Sequence, residues 1–315
     1  MYLGIDLGGT NIAVGVLDEN THILVKANCK TQVPCTPEEL CDRMAATAEE
    51  ALNKAGITYD DIAWVGIGVP GTIDHEGGVV RFSSNLQMKN VDLKTPMEQR
   101  TGRKVFIEND ANAAAYGEYK TGALQGVANA VTITLGTGIG SGIILDGKIY
   151  SGSNFAGGEL GHTVIAYDGR PCSCGRKGCW ETYASATGLT VSTREAMLRV
   201  GEKSVLWQMA GGKSENVNSR IAFDAMRMGD AEAKAVVDQY ISYLACGLTN
   251  CINIFQPDII CIGGGISNEG EYLLEPLRKA VEKEANAMNV EKKTEIRRAS
   301  LGNDAGIIGA ALLGK

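Results

Sequence analysis

His162, Cys172, Cys174 and Cys179 fall within 18 residues, and a glutamate flanks the cluster on each side, Glu159 and Glu181. The segments read Glu159-Leu-Gly-His162, Cys172-Ser-Cys174 and Gly-Arg-Lys-Gly-Cys179-Trp-Glu181. Three thiolates and one imidazole are the ligand set of a closed, tetrahedral zinc site. The other two histidines of the chain, His22 and His75, have no cysteine pair beside them. A structural zinc at His162, Cys172, Cys174 and Cys179 would pin the loop and aim the two carboxylates. If binding and loop folding are coupled, the metal would stabilise the loop by the order of 10 kcal/mol.

A second chemical signal lies in the glycines, which number 40 and cluster at 8–9, 136–142 and 263–265, each cluster behind an apolar strand. Glycine tolerates positive φ and lets backbone N–H groups come close to an anion. Thr10 and Thr137 add hydroxyl donors. Two such loops facing each other would hold the β- and γ-phosphates of a nucleotide. Neither a Walker pattern nor a dinucleotide fingerprint is present. Plain hairpin turns are the competing explanation for any single loop.

These groups must be positioned by regular elements. Residues 2–7 and Ile12–Leu17 read as two strands around the turn Gly8-Gly9-Thr10-Asn11. Thr36-Pro-Glu-Glu39 is a helix start with a capping box, and Leu40, Met44, Ala48, Ala51, Leu52 and Ala55 recur at helical spacing up to a stop at Gly56. Strands are expected at Ile62–Val69, Lys104–Glu108 and Asp258–Ile262. The strand at 104–108 runs into Asn109-Asp110-Ala111-Asn112 and an alanine-rich helix. A long helix is expected from about Asp230 to Phe255, and a last one at about Asp304–Leu313. The segments Asp6–Asp18 and Thr134–Asp146 align without gaps at an offset of 128 residues, which suggests two copies of one unit. Alternating strands and helices make the fold class α/β. The expected division is 1–110 and 111–300, with residues 301–315 packing back on the first lobe.

Bulk properties narrow the function. The 315 residues carry a net charge of −7, which argues against nucleic acid or an anionic membrane as partner. No apolar run approaches a membrane span, no signal-type segment opens the chain, and a reducing cytoplasmic setting is expected for the nine cysteines. Cys246, Cys251 and Cys261 read as buried small hydrophobes. Cys29, Cys35 and Cys41 have no evident role in the sequence.

With these motifs in view, the chain resembles the ROK family (repressor, open reading frame, kinase), from residue 3 to about 313. Asp6-Leu-Gly-Gly-Thr-Asn11 is similar to the first phosphate loop of sugar kinases built on the actin-like, duplicated ribonuclease-H fold. Thr134–Gly140 resembles their second loop and Gly263-Gly-Gly265 their adenosine loop. Glu-x-Gly-His with Cys-x-Cys-x4-Cys is the most specific part, and Glu108–Asn112 is similar to the catalytic segment. Within the family the resemblance is strongest to bacterial glucokinases.

The resemblance implies two lobes around a cleft, with ATP and Mg²⁺ as cofactors, a structural Zn²⁺, and phosphorylation of glucose at O6. It implies Asp110 as general base, although a helix cap alone would also explain an aspartate there. Gly71, Asn85, Asn109, Glu159, His162 and Glu181 would bind the sugar, with His162 also a zinc ligand. Gly9, Thr10, Asn11, Thr137, Gly138, Gly264 and Gly265 would bind the nucleotide, and Asp6 would stand on the Mg²⁺ side through water. Other hexoses (N-acetylmannosamine, fructose, mannose, allose), polyphosphate as donor, and a sugar-binding regulator without catalysis stay open. The family's repressors carry an N-terminal helix-turn-helix, for which a first loop at residue 6 leaves no room. A homodimer is expected by family analogy.

Overall fold

The computed structural model describes residues 1–202, 204–285 and 293–315. Three parallel strands form the heart of the first sheet. These are β1 (Tyr2–Leu7), β4 (Val65–Val69) and β8 (Val105–Asn109), with β2 (Asn11–Leu17) and β3 (Ile23–Lys30) added antiparallel beyond β1, giving the order β3-β2-β1-β4-β8. A second sheet is built from β9 (Ala130–Leu135), β10 (Ile139–Leu145), β11 (Lys148–Ile149), β12 (Ile259–Gly263) and β13 (Glu295–Arg298), in the order β11-β10-β9-β12-β13. Counted along the chain, both sheets have the order third-second-first-fourth-fifth, so the repeat of the two glycine hairpins reflects a repeat of sheet topology. A small antiparallel sheet, β5 (Thr72–Asp74), β6 (Val79–Ser83) and β7 (Met88–Asp92), was not legible in the sequence. The expected strand at Ile62–Val69 begins only at Val65, because Thr58 caps a 3₁₀ turn at Tyr59–Asp61.

The chain divides into two units. One comprises Met1–Val131, Gly142–Gly158 and Ser300–Lys315, the other Thr132–Ser141 and Glu159–Ala299. In the first unit, helix α1 (Pro37–Ala55) follows the capping box that Thr36 and Glu39 form, with bonds of 2.9 and 3.2 Å, and ends at Gly56 in the left-handed conformation. Its face of Leu40, Met44, Ala48 and Leu52 buries against Leu3, Ile5, Leu7, Ile12, Val14 and Val16. Buried Cys41 and half-buried Cys29 and Cys35 pack in or against this core, so these thiols serve as small apolar filling. The helices α2 (Lys94–Thr101) and α3 (Asp110–Thr121) flank β8. In the second unit come α4 (Glu181–Ala184), α5 (Ala186–Val200), α6 (Val205–Met209), α7 (Ile221–Arg227), α8 (Ala231–Phe255, capped by Asp230) and α9 (Glu271–Glu284). Cys251 and Cys261 are buried there as expected, whereas Cys246 is only half-buried, on a side of α8 that the unit does not fully cover. No helix among the described residues is long and apolar enough to cross a membrane.

The other face of the first sheet is covered by α10 (Ala305–Leu312) and α3. Gly15, Gly4 and Gly66 lie side by side across β2, β1 and β4 and leave a trough for α10. A Cβ on Gly4 would stand 2.1 Å from the Ile307 carbonyl, and one on Gly66 1.7 Å from that of Ala310. Backbone therefore lies on backbone, with no room for one methyl. Gly66→Ala is expected to cost about 3 kcal/mol by overpacking, read as a lower denaturation midpoint with an unchanged slope; a midpoint equal to wild type would contradict the trough.

Candidate functional site

In the first unit, parallel register sets Asp6, Gly68 and Glu108 in one row, Asp6 opposite Gly68 and Gly68 opposite Glu108. The row lies near the carboxyl ends of three strands, where open α/β sheets bind ligands. The chain then turns directly from β8 into α3. Asn109 is the N-cap, its Oδ1 accepting from the N–H groups of Ala111 and Asn112 at 2.9 and 3.1 Å, and Asp110 is the first helical residue. Gly68 lies under this turn, where a Cβ would come within 3.5 Å of Cα of Asp110 and 3.3 Å of Cβ of Ala113.

The polar groups around Asp110 are tied to one another. Nδ2 of Asn109 donates to the carbonyl of Gly71 at 2.9 Å, and Oδ1 of Asp110 accepts from the Ala111 N–H at 2.9 Å. Gly71 has φ 121°, and a Cβ on it would strike the Phe82 carbonyl at 2.2 Å, so only glycine fits. Gly9 rests on Asn85, whose Cβ lies 3.3 Å from where a Gly9 side chain would begin. The turn itself is closed by Gly8 N–H to Asn11 carbonyl at 2.9 Å and anchored by the Thr31 hydroxyl on the Gly8 carbonyl at 2.6 Å. Thr10 and Asn11 are exposed, and Oδ1 of Asn11 takes a bond from Nζ of Lys30 at 2.9 Å. Lys30, a cation at the rim of this turn, carries no motif in the sequence.

Burial governs the acids. Asp6 is pushed up to about 6, first by desolvation and then by the negative charge of Asp110. Asp110 is also raised, by burial, against the opposing pull of the Ala111 N–H.

In the second unit the four candidate ligands converge: one ligand atom from each of His162, Cys172, Cys174 and Cys179 lies within 4.8 Å of all the others. Sγ of Cys172 is 3.6 Å from Nδ1 of His162, and Sγ of Cys174 is 3.6 Å from Sγ of Cys179. A regular tetrahedron with Zn–S bonds of ~2.3 Å has sulfurs about 3.8 Å apart, so the donor set and its spacing fit zinc. The knuckle is shaped by its own backbone. Cys172 N–H bonds to the Arg176 carbonyl at 2.9 Å, and Gly175 and Gly178 turn the chain at φ 86° and 79°.

Glu181, at the start of α4, links this knuckle to the second glycine turn. Its Oε1 lies 3.1 Å from Sγ of Cys172 and 3.6 Å from Nδ1 of His162, while its Oε2 would be 2.5 Å from a Cβ on Gly138. Glu159 is exposed, one short 3₁₀ turn before His162, whose N–H bonds to the Glu159 carbonyl at 3.1 Å. The Gly136–Gly138 turn is held by Ala186 N–H on the Gly136 carbonyl and the Thr187 hydroxyl on the Thr137 carbonyl, at 2.9 and 2.7 Å. Gly264 (φ 81°) sits against Leu135, a Cβ there falling 2.5 Å from its carbonyl, so the third glycine cluster adjoins the second; Gly265 beside it is exposed. A cavity of about 680 Å³ opens beside Thr137, Gly138 and Glu181, walled also by Arg170, Ser185 and Thr187. Those last three had no recognisable motif.

Residues 2–315 match the ROK family. The chain belongs to the ROK family. It is 41% identical to a glucokinase of Thermotoga maritima over 98% of this chain and 95% of that one. It is 36% identical to a glucokinase of Streptomyces coelicolor, covering 100% of this chain and 98% of that one. Among solved structures, it is similar to a ROK family glucokinase from Streptomyces griseus in complex with glucose and AMPPNP, with a TM-score of 0.82, 36% identity, and coverage of 98% and 97%. The duplicated sheets are thus the actin-like ATPase fold of ROK proteins.

The knuckle yields a direct test for a ROK chain of this kind. Cys174→Ser should lose the bound metal, read by elemental analysis of purified protein, and should unfold at lower temperature, as should wild type stripped by a chelator. Wild-type protein that purifies without metal and melts unchanged in chelator would remove the metal assignment.

Proposed function

We propose that this chain is an ATP-dependent glucose kinase that transfers the γ-phosphoryl group of ATP to O6 of glucose. The observation that carries the catalytic assignment is the placement of Asp110. It is a half-buried carboxylate at the junction of a strand end and a helix start, with its basicity raised by desolvation. In the reaction the O6–H proton passes to the Asp110 carboxylate as O6 forms its bond to phosphorus, and the bond from phosphorus to the β-phosphate oxygen breaks to release ADP. A carboxylate held above its ordinary range is a stronger base at neutral pH than an exposed one.

The remaining assignments follow the same reading. Asn109, Asn85 and the Gly71 backbone, with Glu159, His162 and Glu181, are the sugar's hydrogen-bonding partners. Gly9, Thr10 and Asn11, with Thr137 and Gly138, present N–H and hydroxyl donors to phosphate, and Gly264 and Gly265 leave room for the adenosine. Asp6 fits the neighbourhood of Mg²⁺, because two acids in a dry setting raise the pKa of Asp6, and a divalent cation relieves that cost. When bound, Mg²⁺ supplies charge neutralisation to the phosphates. Zinc is the metal assigned to His162, Cys172, Cys174 and Cys179, with a structural role. The nine cysteines, none of them in a disulfide, fit a reducing cytoplasmic setting, and family analogy points to a homodimer.

Asp110→Asn keeps an oxygen for the Ala111 N–H but cannot take a proton. Its kcat should fall roughly 10²- to 10⁴-fold with glucose affinity near wild type, measured with ATP and Mg²⁺ across a panel of hexoses; near-wild-type turnover would falsify the base assignment. The sign of the pH dependence follows from the raised acids. Protonation of Asp110 silences the base, and its raised pKa brings that on above the ordinary carboxylate range. Protonation of Asp6, at about 6, removes the charge proposed to face Mg²⁺, so kcat/KM should decline as pH falls through about 6. A profile flat down to the ordinary carboxylate range would contradict it.

A further inference from the structure

We infer that His75 and Glu108 form a clamp that positions Asn109 and Asp110 for the sugar, making His75 a positioning residue of the kinase. The inference rests on the roles given above to Asn109 and Asp110.

Glu108 is 4% exposed, at the end of β8. A buried carboxylate is costly unless it is paired and hydrogen-bonded. Here it has three partners. Oε1 accepts from the Asn109 N–H at 2.7 Å and from Nδ2 of Asn112 at 3.1 Å, and Oε2 faces Nδ1 of His75 at 3.3 Å. Two of the three partners belong to the strand-to-helix turn that carries the proposed base. The carboxylate therefore fixes the peptide between residues 108 and 109 and, through Asn112, the first turn of α3.

His75 is what holds that carboxylate from the other side. It follows β5 in a turn closed by Gly77 N–H on Oδ1 of Asp74 at 2.8 Å, and its ring meets Phe155 edge-on, centroids 5.0 Å apart. Glu108 raises the pKa of His75, chiefly through their hydrogen bond, which favours the imidazolium and a charge-assisted bond. Two residues of one short segment thus grip two consecutive residues of another: the Gly71 carbonyl takes Nδ2 of Asn109 while His75 takes Glu108. Without His75, Oε2 would be a buried charge lacking its cation, and the carboxylate would turn or protonate. Either response frees the Asn109 N–H and lets the cap and the base drift.

The test is a comparison of His75→Ala and His75→Asn with wild type in steady-state kinetics, each variant checked for folding by circular dichroism. An asparagine amide can stand where Nδ1 stands and keep the bond to Glu108. His75→Ala should lose about 10- to 100-fold in kcat/KM for glucose, with KM for ATP unchanged, and His75→Asn should recover most of it. Three results would overturn the clamp: His75→Ala within about two-fold of wild type in kcat/KM for glucose, a loss that tracks only the folded fraction with both KM values unchanged, or His75→Asn no better than His75→Ala. Asp110→Asn measured alongside separates the two ideas. If that variant stays active the base assignment falls, yet a glucose-selective loss in His75→Ala, rescued by asparagine, would still uphold the clamp on Asn109.

Discussion

Parallel pairing of β1, β4 and β8 places three positions, Asp6, Gly68 and Glu108, at one level of the sheet, and the chemistry of the first unit depends on that register. A slip of one residue would turn every side chain of a strand to the opposite face. Asp6 would then face the α1 core, and Glu108 would lose both His75 and Asn112. The register is held by burial on both faces: all five residues of β4, Val65–Val69, are buried. The glycine trough adds to this. Because the backbone of α10 lies on Gly4 and Gly66 and the Ile307 side chain on Gly15, the sheet cannot shift without lifting a helix that is buried along its whole length.

On that frame, each unit solves a different part of the problem with the same topology. The hairpin that opens each sheet carries a glycine turn with a threonine, Thr10 in one and Thr137 in the other. In the first unit the groups around the turn are acids at strand ends. In the second they are the His/Cys knuckle and Glu181, whose carboxylate tip lies where a Cβ on Gly138 would displace it. The knuckle gains rigidity from the interior as well. Trp180, fully buried, packs on Gly247 of α8 and donates its indole N–H to the Tyr243 carbonyl at 2.8 Å. Glu181 is the next residue, so the orientation of its carboxylate is set from both sides.

Much of this was legible in the sequence because the signals are local. The Thr36 capping box, the Gly56 stop and the cysteine spacing each specify geometry within a few residues, and the structure has them where the spacing puts them. The duplication was legible as two glycine hairpins. What escaped was non-local. His75 lies 33 residues before Glu108, in a segment with no motif, and only the β5–β7 sheet brings it there. That sheet was missed because its strands are three to five residues long and half-exposed, with too few positions to show a period. Arg170 likewise stands beside the second-unit cavity through tertiary bonds, its guanidinium 2.8 Å from Glu195 and stacked over Tyr183.

The acids at the end of the first sheet show why such a site resists reading from propensity alone. Stability would favour apolar residues at positions 6, 108 and 110, since burying carboxylates is unfavourable and the mutual repulsion of Asp6 and Asp110 adds to the cost. Of the three, Glu108 has a cation facing it, His75, together with two N–H donors, whereas Asp110 accepts from the Ala111 N–H of its own turn. Asp6 and Asp110 keep raised proton affinities, and a raised proton affinity is what a base toward an alcohol needs. The difference in treatment separates the roles. On the proposed reading, the carboxylate with the charged partner holds geometry, and the two whose proton affinity burial raises act on what binds.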